Sequence, residues 1–101
     1  MVCRLIRIYG IVQGVGFRPF VSRLADRYGI SGSVCNKGSY VEIIARAEES
    51  VISDFVHTIE VEAPARSAIV KVKVMDSPVD ISIDSGFKIA LSKHEEGQIF
   101  V

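Results

Sequence analysis

The chain has 101 residues, 49% hydrophobic and 24% charged, with 12 basic residues against 12 acidic ones. That length holds one domain able to bury about two-thirds of the surface its unfolded form exposes, so it needs no disulfide or metal staple. The balance excludes a disordered chain, a coiled coil and a collagen-like repeat; no apolar run approaches the roughly 20 residues of a membrane span, and zero net charge argues against a general nucleic-acid binder.

The N-terminus, MVCRLIRIYG, is broken by Arg4 and Arg7 too often for a signal-peptide core. Residues 3–12 (CRLIRIYGIV) are rich in Ile, Val and Tyr and lack a helix-start signal, which predicts a strand. The next stretch, QGVGFRP at 13–19, reads as a glycine loop followed by a helix start, with Pro19 suited to a first turn. Phe20, Val21, Leu24, Ala25 and Tyr28 then share one helical face, Arg23, Asp26 and Arg27 take the other, and Gly29 is placed as a C-cap. These predict a helix over about 19–28. Residues 30–36 and 40–47 read as strands joined by a tight turn at 37–39.

Ser50 is expected to cap a helix over 51–60, where Val51, Ile52, Phe55, Val56 and Ile59 form the apolar stripe and Pro64 blocks continuation. Residues 68–75 alternate valine with Lys71 and Lys73, the pattern of a half-exposed strand. A polar loop containing Pro78 leads to a fifth short strand at 86–91 (GFKIAL). The expected fold class is α+β: a ferredoxin-like βαββαβ sandwich, an antiparallel sheet with two helices on one face and one strand added. Enzymes, metal carriers and RNA-binding modules share that architecture, so function has to be read from the site.

The loop at 13–18 is the strongest local feature. Gly14 and Gly16 permit backbone angles that turn successive N–H groups inward, and the helix that follows aims its positive dipole end at the same point. Arg18 stands at that end with a planar fork able to pair two phosphate oxygens. Charge agrees with this placement, since residues 1–48 hold seven basic side chains and three acidic ones. Asn36 has two readings. It is turn chemistry before Lys37 and Gly38, or, because this topology brings the first loop near the end of the second strand, it holds a water against phosphorus bound at Arg18. Cys3 and Cys35 form no CxxC pair, and His57 and His94 stand far apart, so no metal-ligand spacing is present. The two cysteines read as small reduced hydrophobes of a cytoplasmic protein.

The contiguous GIVQGVGFR at 10–18, followed by GSVCN at 32–36, resembles the acylphosphatase signature, GxVQGVxFR and then GxVxN. Pro64, Ala68, Val70 and the Phe87-Lys88-Ile89 run are similar to the family's later pattern, so the resemblance spans about 3–91. It implies hydrolysis of an acyl or carbamoyl phosphate, with inorganic phosphate as product, by metal-free attack of water on phosphorus. The backbone amides of Gln13, Gly14, Val15, Gly16, Phe17 and Arg18 would cradle the phosphate. The Arg18 side chain would hold its oxygens and Asn36 would orient the water. No cofactor and no Cys or His nucleophile is implied. Ser33 replaces a usual aromatic and Tyr40 a common hairpin glycine, departures that bear on the pocket wall and the hairpin.

The run FRPFVSRLA at 17–25 narrows the resemblance to the N-terminal domain of the HypF-type carbamoyltransferases of nickel–iron hydrogenase maturation. Those larger proteins use carbamoyl phosphate and ATP to carbamoylate a cysteine of HypE. On this basis 1–91 is an acylphosphatase-like domain, and 92–101 is a tail or linker to a downstream region with CxxC pairs. The isolated chain has no GxxxxGK[ST] and is not expected to use ATP. The alternatives are a free-standing acylphosphatase, or a vestigial site that binds carbamoyl phosphate or docks without turnover. An RNA-recognition module is a poorer match. KGSYVEI at 37–43 imitates its third strand, but Ser39 and Ile43 stand where stacking aromatics are needed, and the first strand offers only Tyr9. Neither nucleic acid nor membrane is an expected partner.

Overall fold

Period-two alternation and helical apolar stripes become strands and helices where the sequence places them in the computed structural model, which describes residues 1–77 and 86–90. The order is β1 (Val2–Ile11), α1 (Phe17–Tyr28), β2 (Ser31–Asn36), β3 (Tyr40–Ala47), α2 (Glu49–Glu62), β4 (Ala68–Asp76) and β5 (Phe87–Ile89). The sheet runs β4-β1-β3-β2-β5. β1 lies antiparallel between β3 and β4, and β2 is antiparallel to β3, which is the expected ferredoxin-like core. β5 joins β2 in parallel, with Gly32 opposite Phe87, so the added strand makes the whole sheet mixed. The polar loop at Pro78, the end of the expected fifth strand at Leu91 and the tail at 92–101 lie outside the described residues.

Register builds the core. Ile6 pairs Ile43, Ile8 pairs Val41, and Val34 pairs Ile43, which puts these side chains on one face of the sheet. Phe17, Phe20, Val21, Leu24 and Ala25 from α1, and Ile52, Phe55 and Ile59 from α2, pack on them and are buried. Each large apolar side chain so covered is worth about 1.5–3 kcal/mol. The Tyr28 ring meets Phe55 edge-on at 6.3 Å, and its hydroxyl shares a 2.7 Å hydrogen bond with Thr58 Oγ1, joining the two helices. On the opposite face Tyr9 and Tyr40 pack together at 5.2 Å. Cations lie over both rings, Arg7 over Tyr40 at 5.0 Å and Lys71 over Tyr9 at 6.0 Å.

Two helix starts differ from expectation. α1 begins at Phe17, two residues before the predicted start, because Gly16 takes a left-handed conformation (φ 77°, ψ 21°) that swings the fully buried Phe17 directly into the core. Pro19 therefore lies inside the first turn, where its missing N–H is harmless. α2 begins at Glu49, with Glu48 in the N-cap position and no side-chain cap; Ser50 lies within the first turn. β3 ends at Ala47, so the chain has to turn at once, and the Val51 and Ile52 N–H groups bond the Glu48 carbonyl at 3.0 Å. Gly29 does close α1 as expected: it is left-handed (φ 69°), and Ile30 N–H reaches back to the Ala25 carbonyl at 2.8 Å.

Candidate active site

The loop between β1 and α1 is pinned at both ends, since Val12 and Phe17 are each 1% exposed. Between them Gly14 (φ 74°) and Gly16 (φ 77°) are both left-handed. A Cβ at either glycine would stand in open space, so glycine is needed here for backbone angle and not for close packing. No N–H from Gln13 through Arg18 has a backbone acceptor among the described residues. The first N–H after this stretch to find one is that of Phe20, which bonds the Gly16 carbonyl at 3.2 Å. Left-handed turns at alternate residues gather such donors into an anion-binding nest, and the N-terminus of α1 adds its dipole.

Arg18 is the second residue of α1 and is half-buried. It makes no hydrogen bond or ion pair with any described residue, so its guanidinium donors are uncommitted. The Phe17 side chain belongs to the core, which leaves only its backbone to offer a ligand.

Asn36 ends β2 opposite Val41. Its Oδ1 accepts the Gly38 N–H at 2.8 Å. The Gly38 carbonyl in turn accepts from Gln13 Nε2 at 2.6 Å. Asn36 is thus a turn residue and also a neighbour of the loop through one intervening glycine, so its two sequence readings are compatible. The turn closes with Lys37 N–H on the Tyr40 carbonyl at 2.9 Å, and Lys37 Nζ approaches Glu42 at 3.5 Å. Sequence reasoning used only the backbone of Gln13 and treated Gly38 as a turn residue. No local pattern marks a contact between side chain and backbone 25 positions apart.

A wider groove lies elsewhere. A groove of about 420 Å³ runs along α2 beside β1 and β4, lined by residues including Arg4, Ile52, Val56, His57 and Val74. Its arginine is already committed, to Asp76 at 2.9 Å and Glu49 at 3.5 Å. The 13–18 loop is where unused donors converge, and it is the better candidate for anion chemistry. Among the described residues no three His, Cys, Asp or Glu side chains come together as a metal site, and no helix is long and apolar enough to cross a membrane.

Known proteins share this sequence pattern and this fold. A model of the acylphosphatase family matches residues 4–89. A probable carbamoyltransferase HypF of Methanocaldococcus jannaschii is 42% identical over 69 residues, which are 68% of this chain and 9% of that protein. The crystal structure of acylphosphatase from Bacillus subtilis superposes with a TM-score of 0.81 at 32% identity, covering 89% of this chain and 99% of the other. Full-length HypF, in its phosphate- and nucleotide-bound form, matches with a TM-score of 0.83 at 40% identity over 90% of this chain and 12% of its own. The chain therefore spans about a tenth of the length of these carbamoyltransferases.

Proposed function

The chain belongs to the acylphosphatase family, and from that premise we propose that it hydrolyses acyl phosphates, carbamoyl phosphate among them, by metal-free attack of water on phosphorus. One observation carries the reading: the backbone N–H groups from Gln13 through Arg18 have no backbone acceptor among the described residues, and the uncommitted Arg18 guanidinium begins the helix beside them. The phosphoryl oxygens sit in this cradle, and Arg18 pairs two of them in its planar fork. One Nδ2 hydrogen of Asn36 donates to the oxygen of the attacking water, leaving a lone pair to form the new P–O bond. The bond from phosphorus to the acyl oxygen breaks, and the carboxylate leaves with the electron pair. A carboxylate is a good leaving group, so no side-chain acid is needed. The water proton passes to solvent or to a phosphoryl oxygen. Positioning and charge stabilisation supply the rate.

FRPFVSRLA and the two carbamoyltransferase relatives support a narrower assignment, as the N-terminal module of a cytoplasmic HypF-type carbamoyltransferase. On that assignment 92–101 lead into a downstream region and HypE is the partner. The Bacillus subtilis enzyme, matched along 99% of its length, favours a second reading as a self-contained hydrolase. The encoding reading frame separates the two: continuation into CxxC pairs supports the module, and a stop codon after Val101 the small enzyme.

Benzoyl phosphate hydrolysis by the isolated chain tests the chemistry. Turnover inhibited competitively by inorganic phosphate is expected. Phosphate binding without turnover would leave a vestigial binding domain, and neither binding nor turnover would remove the site from this loop.

A further inference from the structure

Gly38 is held through both of its backbone polar groups. Its N–H donates to Asn36 Oδ1 at 2.8 Å, and its carbonyl accepts from Gln13 Nε2 at 2.6 Å. One residue thus joins the first member of the phosphate loop to the side chain assigned to the water. We propose that the Gln13 side chain is a positioning residue of the reaction: by holding Gly38 it sets the carboxamide of Asn36 relative to the cradle in which Gln13's own backbone takes part. The proposal rests on the reading of Asn36 as the water-orienting group.

The physical case is one of rigidity. A carboxamide turns easily about its last torsion, and an approach to the attacking water is useful only if its plane is set. The bond from Gly38 N–H sets that plane and directs the oxygen end of Asn36 at the turn. Gly38 itself lies in a three-residue turn with φ 98°, where the backbone can pivot. Gln13 opposes the pivot from a firm base, because Val12 before it is 1% exposed. Among the described residues no other side chain bonds Gly38; Lys37, the neighbouring cation, is drawn to Glu42 instead.

The experiment is a double-mutant cycle on the full chain. Gln13→Met keeps the length of the side chain and removes the donor; Asn36→Ala and the double variant complete the cycle. Values of kcat and KM are measured for benzoyl phosphate, together with inhibition by inorganic phosphate. Gln13→Met is expected to lower kcat about tenfold, as loss of one orienting hydrogen bond would, with phosphate inhibition and thermal midpoint unchanged. The double variant is expected to be no slower than Asn36→Ala alone, because a group that acts only through Asn36 has nothing further to lose. The Nδ2 proton resonances of Asn36 are expected to move or broaden in Gln13→Met, and Lys37→Ala is expected to leave kcat unchanged. An unaltered kcat in Gln13→Met overturns the proposal, as do losses that multiply in the double variant or phosphate inhibition that weakens in step with kcat. If Asn36→Ala by itself leaves kcat intact, the reading of Asn36 fails first, and that result is visible without any Gln13 variant.

Discussion

The 13–18 loop and the groove along α2 are opposite in kind. The groove has volume, about 420 Å³, but its apolar wall comes from Ile52, Val56 and Val74, and its arginine is closed into pairs with Glu49 and Asp76. The loop presents a run of N–H groups with no backbone acceptor among the described residues, and an arginine bonded to none of them. A large apolar cavity suits a drug-sized ligand. A small tetrahedral anion needs a high density of unspent donors, because its binding and its transition state are governed by charge and direction. On the proposed function the chemistry follows the unspent donors and not the void.

The sharpest way to break that contrast is Arg18→Ala. It is expected to cut benzoyl phosphate hydrolysis by on the order of 10²–10³, the effect of losing a charged donor to a transition-state oxyanion, while the thermal midpoint stays in place. Arg18→Lys should fail to restore the rate, since an ammonium lacks the planar fork. Near-wild-type turnover in Arg18→Ala would move the site away from the loop.

Asn36→Ala sharpens the division of labour inside the site. A loss of roughly 10² in kcat is expected, of the size seen when one oriented donor is removed, with phosphate inhibition little changed. Equal loss of phosphate affinity would make Asn36 a second phosphate ligand.

A milder probe is Gly16→Ala, where the added methyl meets nothing but the residue has to keep φ near 77°. Left-handed backbone costs a non-glycine residue about 1–2 kcal/mol. Phosphate inhibition should weaken about tenfold if that strain is relieved by opening the nest, since 1.4 kcal/mol is a factor of ten. Unchanged inhibition would show that the cradle does not depend on this turn.

The smallest effects belong to the groove. Arg4→Gln removes pairs to two largely exposed carboxylates, so stability should fall by about 0–1 kcal/mol and kcat/KM should not move. A loss comparable with Arg18→Ala would reverse the assignment of the two regions. EDTA should leave turnover unaffected; strong sensitivity would overturn the metal-free mechanism.

Much of this molecule was legible one segment at a time. The alternation in β1 and β3, the apolar stripes of α1 and α2, the closure at Gly29 and the contiguous loop from Gln13 to Arg18 are encoded by neighbouring residues, whose steric preferences and periodicity act over a few positions. For the same reason the glycines and the arginine of the loop, close in sequence, are enough to suggest an anion-binding role. What depended on residues distant in sequence was not legible. α1 starts at Phe17 because the core takes up that ring once Gly16 turns it inward, and α2 starts at Glu49 because the pairing of β3 with β1 runs as far as Ala47. β5 took a parallel place next to β2, a choice of edge that its three residues do not specify. Above all, the bond from Gln13 to Gly38, which ties the 13–18 loop to Asn36, exists only because the antiparallel register of β1 and β3, ending with Tyr9 opposite Tyr40, carries the loop after one strand to the turn before the other. Local preference decides which residues can make a nest or a turn; only the pairing of strands decides which nest meets which turn.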